Sequence, residues 1–431
     1  MRLPRPLLYP LQRLLYRERF RLLNQLLANQ QLEQSSLLQK QHHDLTALLK
    51  FAVSQVPYYH QRLGCMDWST FPGCLPILQK ADLIQYGEEL INEQADRSTL
   101  QQGYTGGSTG TPLAYYYDAH KTELMHAGQY RSFMQCGWRP GEPVLQFWGA
   151  SQDQQQHPAL SERIHTSLSA EQIVGAYQFD EATLQQWSDT LCSYRPVVVR
   201  GYPSILAALA RYLIDQGIKV PTTIKGSFCT AEVLHPQQRQ LIEQAFHCKL
   251  YNQYGSREIP NISCECSHGN QHIYSDLVLL ESLEVKGQRE LVVTSLTNRL
   301  QPLIRYAIGD TGTLQEGVCS CGSPFPMMKM EVCRSNDLIH TPQGGLIYPS
   351  QLTHLLDGVE GIHHFQFRQQ KIEQITLQVE MEQALSPPVK QRLLALFAEQ
   401  VTPSITLEVE RVEHIERGAS GKHRFVRCDL S

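Results

Sequence analysis

The chain of 431 residues lacks a charge excess of either sign: 38 basic side chains stand against 42 acidic ones, for a net charge of −4. A dedicated nucleic-acid binder concentrates a basic excess on one face, so that class is set aside. Also missing is any apolar run near the roughly 18 residues a bilayer span requires. Arginines break up the start, Met1-Arg2-Leu3-Pro4-Arg5-Pro6, before a signal-type stretch can form. There is no disulfide-style cysteine framework: 12 cysteines are scattered over a long chain except for two tight groups. That distribution suits a reduced, cytoplasmic protein. No internal repeat and no low-complexity tract is present.

What is present is an ordinary globular composition, 42% apolar and 19% charged, on a chain long enough for two domains. The first thirty residues are unusual. Arg2, Arg5, Arg13, Arg17, Arg19 and Arg21 are interleaved with Leu7, Leu8, Leu11, Leu14, Leu15, Phe20, Leu22 and Leu23. A basic amphipathic helix over 1–30 has two readings: it lies on an anionic membrane surface, or it packs its leucines on the body. Leu37, Leu38, Leu45, Leu48, Leu49, Ala52, Val53 and Val56 recur at helical period, and Pro57 stops that helix.

Pro196–Pro203 reads as a buried strand ending in a turn, followed by a helix over Ile205–Ile214, which is the rhythm of an α/β domain. Near the C-terminus Ile375, Leu377 and Val379 alternate, Ser386-Pro387-Pro388 starts a helix, and Ile405, Leu407 and Val409 alternate again. The expected division is 1–333 and a small strand–helix–strand unit over 334–431.

Gly103-Tyr104-Thr105-Gly106-Gly107-Ser108-Thr109-Gly110-Thr111-Pro112 is the most informative stretch. Its glycines and hydroxyls form a loop able to offer N–H and O–H groups to phosphate oxygens. It is not a Walker loop, because the Gly-Lys-Ser/Thr ending is absent, and this disfavours a P-loop kinase. Four more segments accompany it: Tyr251–Glu258, Pro302–Asp310, Cys333-Arg334-Ser335-Asn336-Asp337, and Gly418–Arg424 with its loop lysine Lys422. In order and spacing this series resembles the adenylate-forming (AMP-binding) superfamily. Val56-Pro57-Tyr58-Tyr59, Leu75–Leu83 and Thr230–Leu234 are similar to its phenylacetate–CoA ligase branch and the relatives of that branch in capsular polysaccharide gene clusters.

The resemblance implies an α/β fold with a large multi-layer N-terminal domain and a small mobile C-terminal domain. It implies that Thr105, Ser108, Thr109 and Gly110 grip the ATP phosphates. Ala231 and Glu232 would lie along the adenine, with Tyr254 stacked on it and Gly255 in the turn beneath. Glu258 would hold Mg²⁺, Asp310 the ribose hydroxyls, and Arg334 a ribose or phosphate oxygen. Lys422 would stabilise the charge that develops on phosphorus as a carboxylate attacks it, and Asp337 would be the hinge of the small domain. Arg257 stands where many members have threonine, beside the metal glutamate, and is taken as a catalytic phosphate contact. Phe147, Trp148 and Gly149 are candidate walls of the acid pocket.

Cys264, Cys266, His268 and His272 lie close together, with Cys319-Ser320-Cys321 about fifty residues on. Thiolates with imidazole suit tetrahedral Zn²⁺; buried free cysteines are the other reading. Some relatives carry a Cys plus His group followed by Cys-x-Cys. That match implies the set Cys266, His272, Cys319 and Cys321, with Cys264 and His268 in reserve.

The activity implied is ATP-dependent conversion of a carboxylic acid to an acyl-adenylate, then acyl transfer to CoA, a carrier-protein thiol or an amine. The alternative is a catalytically inactive nucleotide-binding scaffold of the same fold. The acid and the oligomeric state are not encoded in any recognisable local pattern.

Overall fold

Val198 and Val199 are wholly buried, and the helix after them is buried on nearly every side, so this β-then-α unit sits inside the molecule. The structure is a computed structural model. It describes residues 4–63, 75–104, 114–148, 168–176, 181–285, 288–334, 339–343, 346–347, 352, 354–356, 359, 362, 364–381, 383–415 and 424–430.

In chain order the first strands are β1 Gln101–Tyr104, β2 Ala114–Tyr117, β3 Val144–Trp148, β4 Glu171–Gly175, β5 Val198–Gly201, β6 Gly226–Cys229 and β7 Leu250–Tyr254. They are followed by β8 Ser263–Glu265, β9 Gln271–Ile273, β10 Val278–Val285, β11 Gln288–Ser295, β12 Tyr306–Gln315 and β13 Met327–Arg334. The helices of this part are α1 Arg5–Leu15, α2 Arg17–Asn29, α3 Gln34–Gln55, α4 Pro57–Leu63, α5 Lys80–Gln85, α6 Ala119–Phe133, α7 Glu181–Tyr194, α8 Pro203–Asp215 and α9 Pro236–Phe246.

One sheet runs through the body in the order β10-β11-β12-β13-β9-β8-β7-β6-β5-β3-β4. Its β4-β3-β5-β6-β7 half is parallel, and the rest is antiparallel. Two apolar clusters flank it. Val198, Phe228 and Tyr251 join α6 and the N-terminal helices on one side. Leu145, Phe147 and Val199 join α7, α8 and α9 on the other. Separately, β1 and β2 form an antiparallel pair in which Gly103 lets the Tyr115 ring pass; a Cβ there would lie 2.4 Å from that ring.

Past residue 334 come the short pair β14 Ile339–His340 and β15 Leu346–Ile347, then β16 His364–Lys371, β17 Gln374–Glu380, α10 Pro387–Gln400, β18 Thr406–Val412 and β19 Val426–Cys428. A sheet ordered β18-β17-β16-β19 packs with α10 around its own core, which includes Phe367, Leu377, Leu393 and Phe397. The α/β class, the large body and the small C-terminal unit agree with the sequence reading.

The N-terminus departs from a single helix. Tyr16, at φ −109° and ψ 47°, breaks it into α1 and α2, so the two halves have different fates. In α2 the residues Phe20, Leu22, Leu23 and Leu26 are buried, and Arg19 turns inward onto Glu123 (2.9 Å) and the Tyr130 hydroxyl (3.2 Å). In α1 most of the leucines stay outside. No helix among the described residues is long and apolar enough to cross a membrane.

Candidate active site and a Cys/His centre

Parallel strands bring their C-terminal ends to one edge, and ligands of open α/β sheets bind at that edge. Here the edge gathers Trp148 at the end of β3, Tyr202 after β5, Ala231 and Glu232 after β6, and the Tyr254–Glu258 turn that begins on the last residue of β7. The turn is tight. A Cβ on Gly255 would lie 2.9 Å from the Asn261 nitrogen, so only glycine fits. The Ser256 N–H donates to the Ile259 carbonyl and the Ser256 hydroxyl accepts from the Ile259 N–H, both at 3.0 Å.

The Tyr254 hydroxyl donates to Asp310 Oδ2 at 3.0 Å. Asp310 follows Gly309, whose φ of +84° belongs to the left-handed region, and the β12–β13 register slips just beyond it. Arg334 is the cross-strand partner of Asp310 in that register. Glu258 is only 7% exposed, and the phenol of Tyr306 lies beside its carboxylate. Burial first, then the charges of Glu258 and Asp310, hold the Tyr306 phenol well above its usual range. Tyr306 sits in the Pro302–Asp310 segment, where no role for it is legible from the residues alone; only the fold reveals its contact with Glu258.

The Arg257 guanidinium donates to the Tyr104 carbonyl at 3.3 Å, at the last described residue before the glycine-rich loop. Ala231 has a φ of +74°, and Glu232 Oε2 accepts from the Ser204 N–H at 3.0 Å, at the N-terminus of α8. The structure therefore brings Tyr254, Glu258, Asp310 and Tyr306 together and ties Arg257 to the foot of the loop. Thr105, Ser108, Thr109, Gly110, Gly149, Asp337 and Lys422 lie outside the described residues.

Successive residues of a strand face opposite ways. Phe147 therefore points into the core against Trp187, with its rings 5.6 Å apart, and is not a pocket wall. Gln146 and Trp148 share the other face with Arg200. That guanidinium lies 5.0 Å from the Trp148 ring and donates to Gln146 (2.9 Å) and Gln253 (3.0 Å). Gln146 in turn donates to Glu171 at 3.0 Å. Burial pushes Arg200 down to about 10 and raises the Glu171 carboxyl. No local pattern announces this polar layer, because its members meet only through strand pairing.

A second constellation lies at the β8–β9 and β12–β13 connections. The ligand atoms of Cys266, His272, Cys319 and Cys321 all fall within 4.8 Å of one another. The Cys266 and Cys319 sulfurs are 3.8 Å apart, and the Cys321 sulfur is 3.3 Å from His272 Nε2. His272 Nδ1 lies 2.9 Å from the Phe325 carbonyl, which orients the ring so that Nε2 faces the sulfurs. Backbone N–H groups of His268 and Cys321 reach Cys266 and Cys319 at 3.3 and 3.5 Å, and the Asn270 amide reaches Cys319 at 3.1 Å. Burial opposes ionisation of Cys319, but the Cys321 N–H and the Asn270 amide outweigh it and bring the thiol to about 6. Three sulfurs and one imidazole in this geometry match the donor set of a closed zinc site.

Cys264 points instead toward Ser132 and Tyr274 in the core, and burial pushes its thiol up to about 12. His268 is bonded to Ser267 at 3.2 Å and stays outside the cluster.

Comparison with known proteins agrees with this architecture. The CapK C-terminal domain family matches residues 339–429. Protein CapK of Staphylococcus aureus is 26% identical over 319 residues, covering 70% of this chain and 67% of CapK. A phenylacetate-coenzyme A ligase of Thermus thermophilus is 23% identical over 379 residues, 82% of this chain and 84% of that enzyme. Among solved structures, 2-hydroxyisobutyryl-CoA ligase in the postadenylation state with an acyl-AMP matches with a TM-score of 0.71 at 16% identity, over 93% of this chain and 91% of that one. The chain is thus a homologue of CapK and of the phenylacetate–coenzyme A ligases, built on the fold of the adenylate-forming CoA ligases.

Proposed function

We propose that this protein activates a carboxylic acid with ATP, releasing pyrophosphate and forming an acyl-adenylate, and then passes the acyl group to the thiol of CoA with release of AMP. The observation that carries the reading is the convergence of Tyr254, Asp310, Glu258 and Tyr306 at the C-terminal edge of the parallel strands, beside the foot of the glycine-rich loop. In this reading Asp310, held by the Tyr254 hydroxyl, accepts from the ribose hydroxyls. Adenine lies between the Tyr254 ring and the Ala231–Glu232 backbone. The Glu232 carboxylate is engaged by the α8 N-terminus, so it fixes the segment rather than reading the base.

Glu258 would hold Mg²⁺, a hard cation suited to a buried carboxylate, and Tyr306 fixes that carboxylate's direction. When bound, the ion neutralises charge on the phosphates. Thr105, Ser108, Thr109, Gly110 and Arg334 are assigned to the phosphates and ribose, with Arg257 bracing the loop from Tyr104. Lys422 supplies the ammonium for the adenylation step. We place the domain boundary at 333/334 and the hinge at Asp337. Support for an approach of the small unit comes from His235, four residues past Ala231. Its ring lies 6.0 Å from those of Phe365 and Phe425, and Phe425 is three residues past Lys422.

CoA is assigned because the homologues and fold neighbours include CoA ligases; a carrier-protein thiol or an amine is the other acceptor class. Zn²⁺ would be held by Cys266, His272, Cys319 and Cys321 and would staple two connections of the sheet. A cytoplasmic location fits nine cysteines that form no disulfide.

The test is exchange of labelled pyrophosphate into ATP, screened over aromatic, fatty, hydroxy and amino acids. Exchange that depends on one acid class supports the reading. ATP binding without exchange for any acid would show a nucleotide-binding scaffold instead.

A further inference from the structure

The N-terminal helix is held on the body by one face only. Leu8 and Gln12 are buried, Gln12 Nε2 donates to the Leu168 carbonyl at 2.8 Å, and Arg5 Nε donates to the Pro140 carbonyl at 3.1 Å. The face adjoining it exposes Leu7 (59%), Leu11 (39%), Leu14 (56%) and Leu15 (55%). Their spacing is i, i+4, i+7 and i+8, a continuous stripe along α1. A globular body has no use for such a stripe in water, and its position on a pinned helix keeps it from folding inward.

Charge around the stripe is of one sign. Residues 1–17 contain no aspartate or glutamate. Arg13 and Arg17 are exposed beside Leu14 and make no ion pair among the described residues. The first acid, Glu18, is already engaged by Arg21 at 2.5 Å and by His120 at 3.1 Å. A second copy of the chain, docked face to face by a two-fold axis, would set these arginines against their own counterparts. An anionic lipid surface instead takes the leucines below its headgroups and the guanidiniums at the phosphate level.

We propose that α1 docks this protein on anionic membrane surfaces as a peripheral anchor, with Leu7, Leu11, Leu14 and Leu15 inserted and Arg13 and Arg17 at the headgroups. The proposal is independent of the ligase reading, since it rests on α1 and the first residue of α2 alone. It accounts for the separate fates of the two halves of the N-terminal segment: α2 packs inward, and α1 is presented outward.

The experiment is co-sedimentation of the full chain with vesicles of phosphatidylcholine, with and without roughly a third phosphatidylglycerol. The protein should pellet with the anionic vesicles and far less with the neutral ones. Leu11→Ser/Leu14→Ser should weaken binding at least tenfold. Arg13→Gln/Arg17→Gln should weaken it by roughly fivefold per arginine, the fold-change equivalent of about 1 kcal/mol for each basic residue near such a surface. Both variants alter exposed residues, so unchanged thermal unfolding confirms that the fold is kept. Equal pelleting by wild type and both variants overturns the proposal. So does the finding, by analytical ultracentrifugation, that the leucine substitutions convert a dimer to a monomer without changing vesicle binding.

Discussion

Replacing Lys121 with methionine should stabilise the protein, and its surroundings set the magnitude. Lys121 lies in the first turn of α6 and is 9% exposed. Its ammonium reaches Ser295 Oγ at 3.3 Å and lines a small cavity with Asn261, Thr297 and the apolar Leu124, Ile259 and Leu277. Among the described residues no carboxylate forms an ion pair with it; Asp118 helps from a distance, but burial dominates and brings the amine from an ordinary 10.5 down to about 8. That fall corresponds to about 3 kcal/mol against the ammonium form in the folded state.

Below pH 8 both folded and unfolded chains are protonated at Lys121, and the full penalty applies. Between pH 8 and 10.5 the unfolded chain binds more protons at this site than the folded chain, so the wild-type protein gains stability as pH rises through that window. Lys121→Met removes the penalty while keeping a similar volume. Urea denaturation of both proteins at pH 7 and at pH 10 checks the reasoning. The variant should be more stable by about 3 kcal/mol at pH 7, and the gap should narrow sharply at pH 10. A variant less stable at pH 7, or a gap unchanged with pH, would refute the view of Lys121 as a poorly paired buried charge.

Other substitutions probe the site and its supports. Tyr254→Phe deletes the 3.0 Å hydrogen bond to Asp310; steady-state kinetics should show KM for ATP rising roughly tenfold, as expected for about 1.5 kcal/mol at a charged acceptor. Cys319→Ser should lower bound zinc from about one per chain to well below that in elemental analysis, and lower Tm by upward of about 5 °C. Arg131→Met leaves Asp276 buried with, among the described residues, only the Asn29 amide at 3.0 Å, so denaturation should show a loss of about 3–5 kcal/mol. Lys422→Ala should abolish pyrophosphate exchange yet spare acyl transfer from a chemically made adenylate; equal loss of both half-reactions would remove its assigned role.

The parts of this fold that could be read from the sequence are those encoded by local period. The buried strand before Pro203 and the helix behind it are β5 and α8, and Ser386-Pro387-Pro388 does start α10. The Cys/His grouping was readable because four ligands fall in two short segments, and β8, β9 and the β12–β13 loop bring those segments together. Facing was not readable. A strand whose other four residues are apolar and whose single polar residue is Gln146 carries no clear alternation, so its pattern did not single out Phe147, which faces the core, from Trp148.

Long-range pairing was hidden as well. Arg200 meets Gln146 and Gln253, each more than fifty residues away, through parallel strand register alone. Tyr306 escaped notice for the same reason, since an aromatic at the start of an apolar strand reads as core until Glu258 is placed beside it. At the N-terminus a continuous leucine–arginine pattern concealed the break at Tyr16, because amphipathic period persists on both sides of it.

The decisive measurement is a crystal structure with a non-hydrolysable acyl-adenylate analogue. Its ribose hydroxyls should lie within hydrogen-bond distance of Asp310, with adenine against the Tyr254 ring. Density for the analogue at any other place, with the Tyr254–Asp310 edge vacant, would contradict the account.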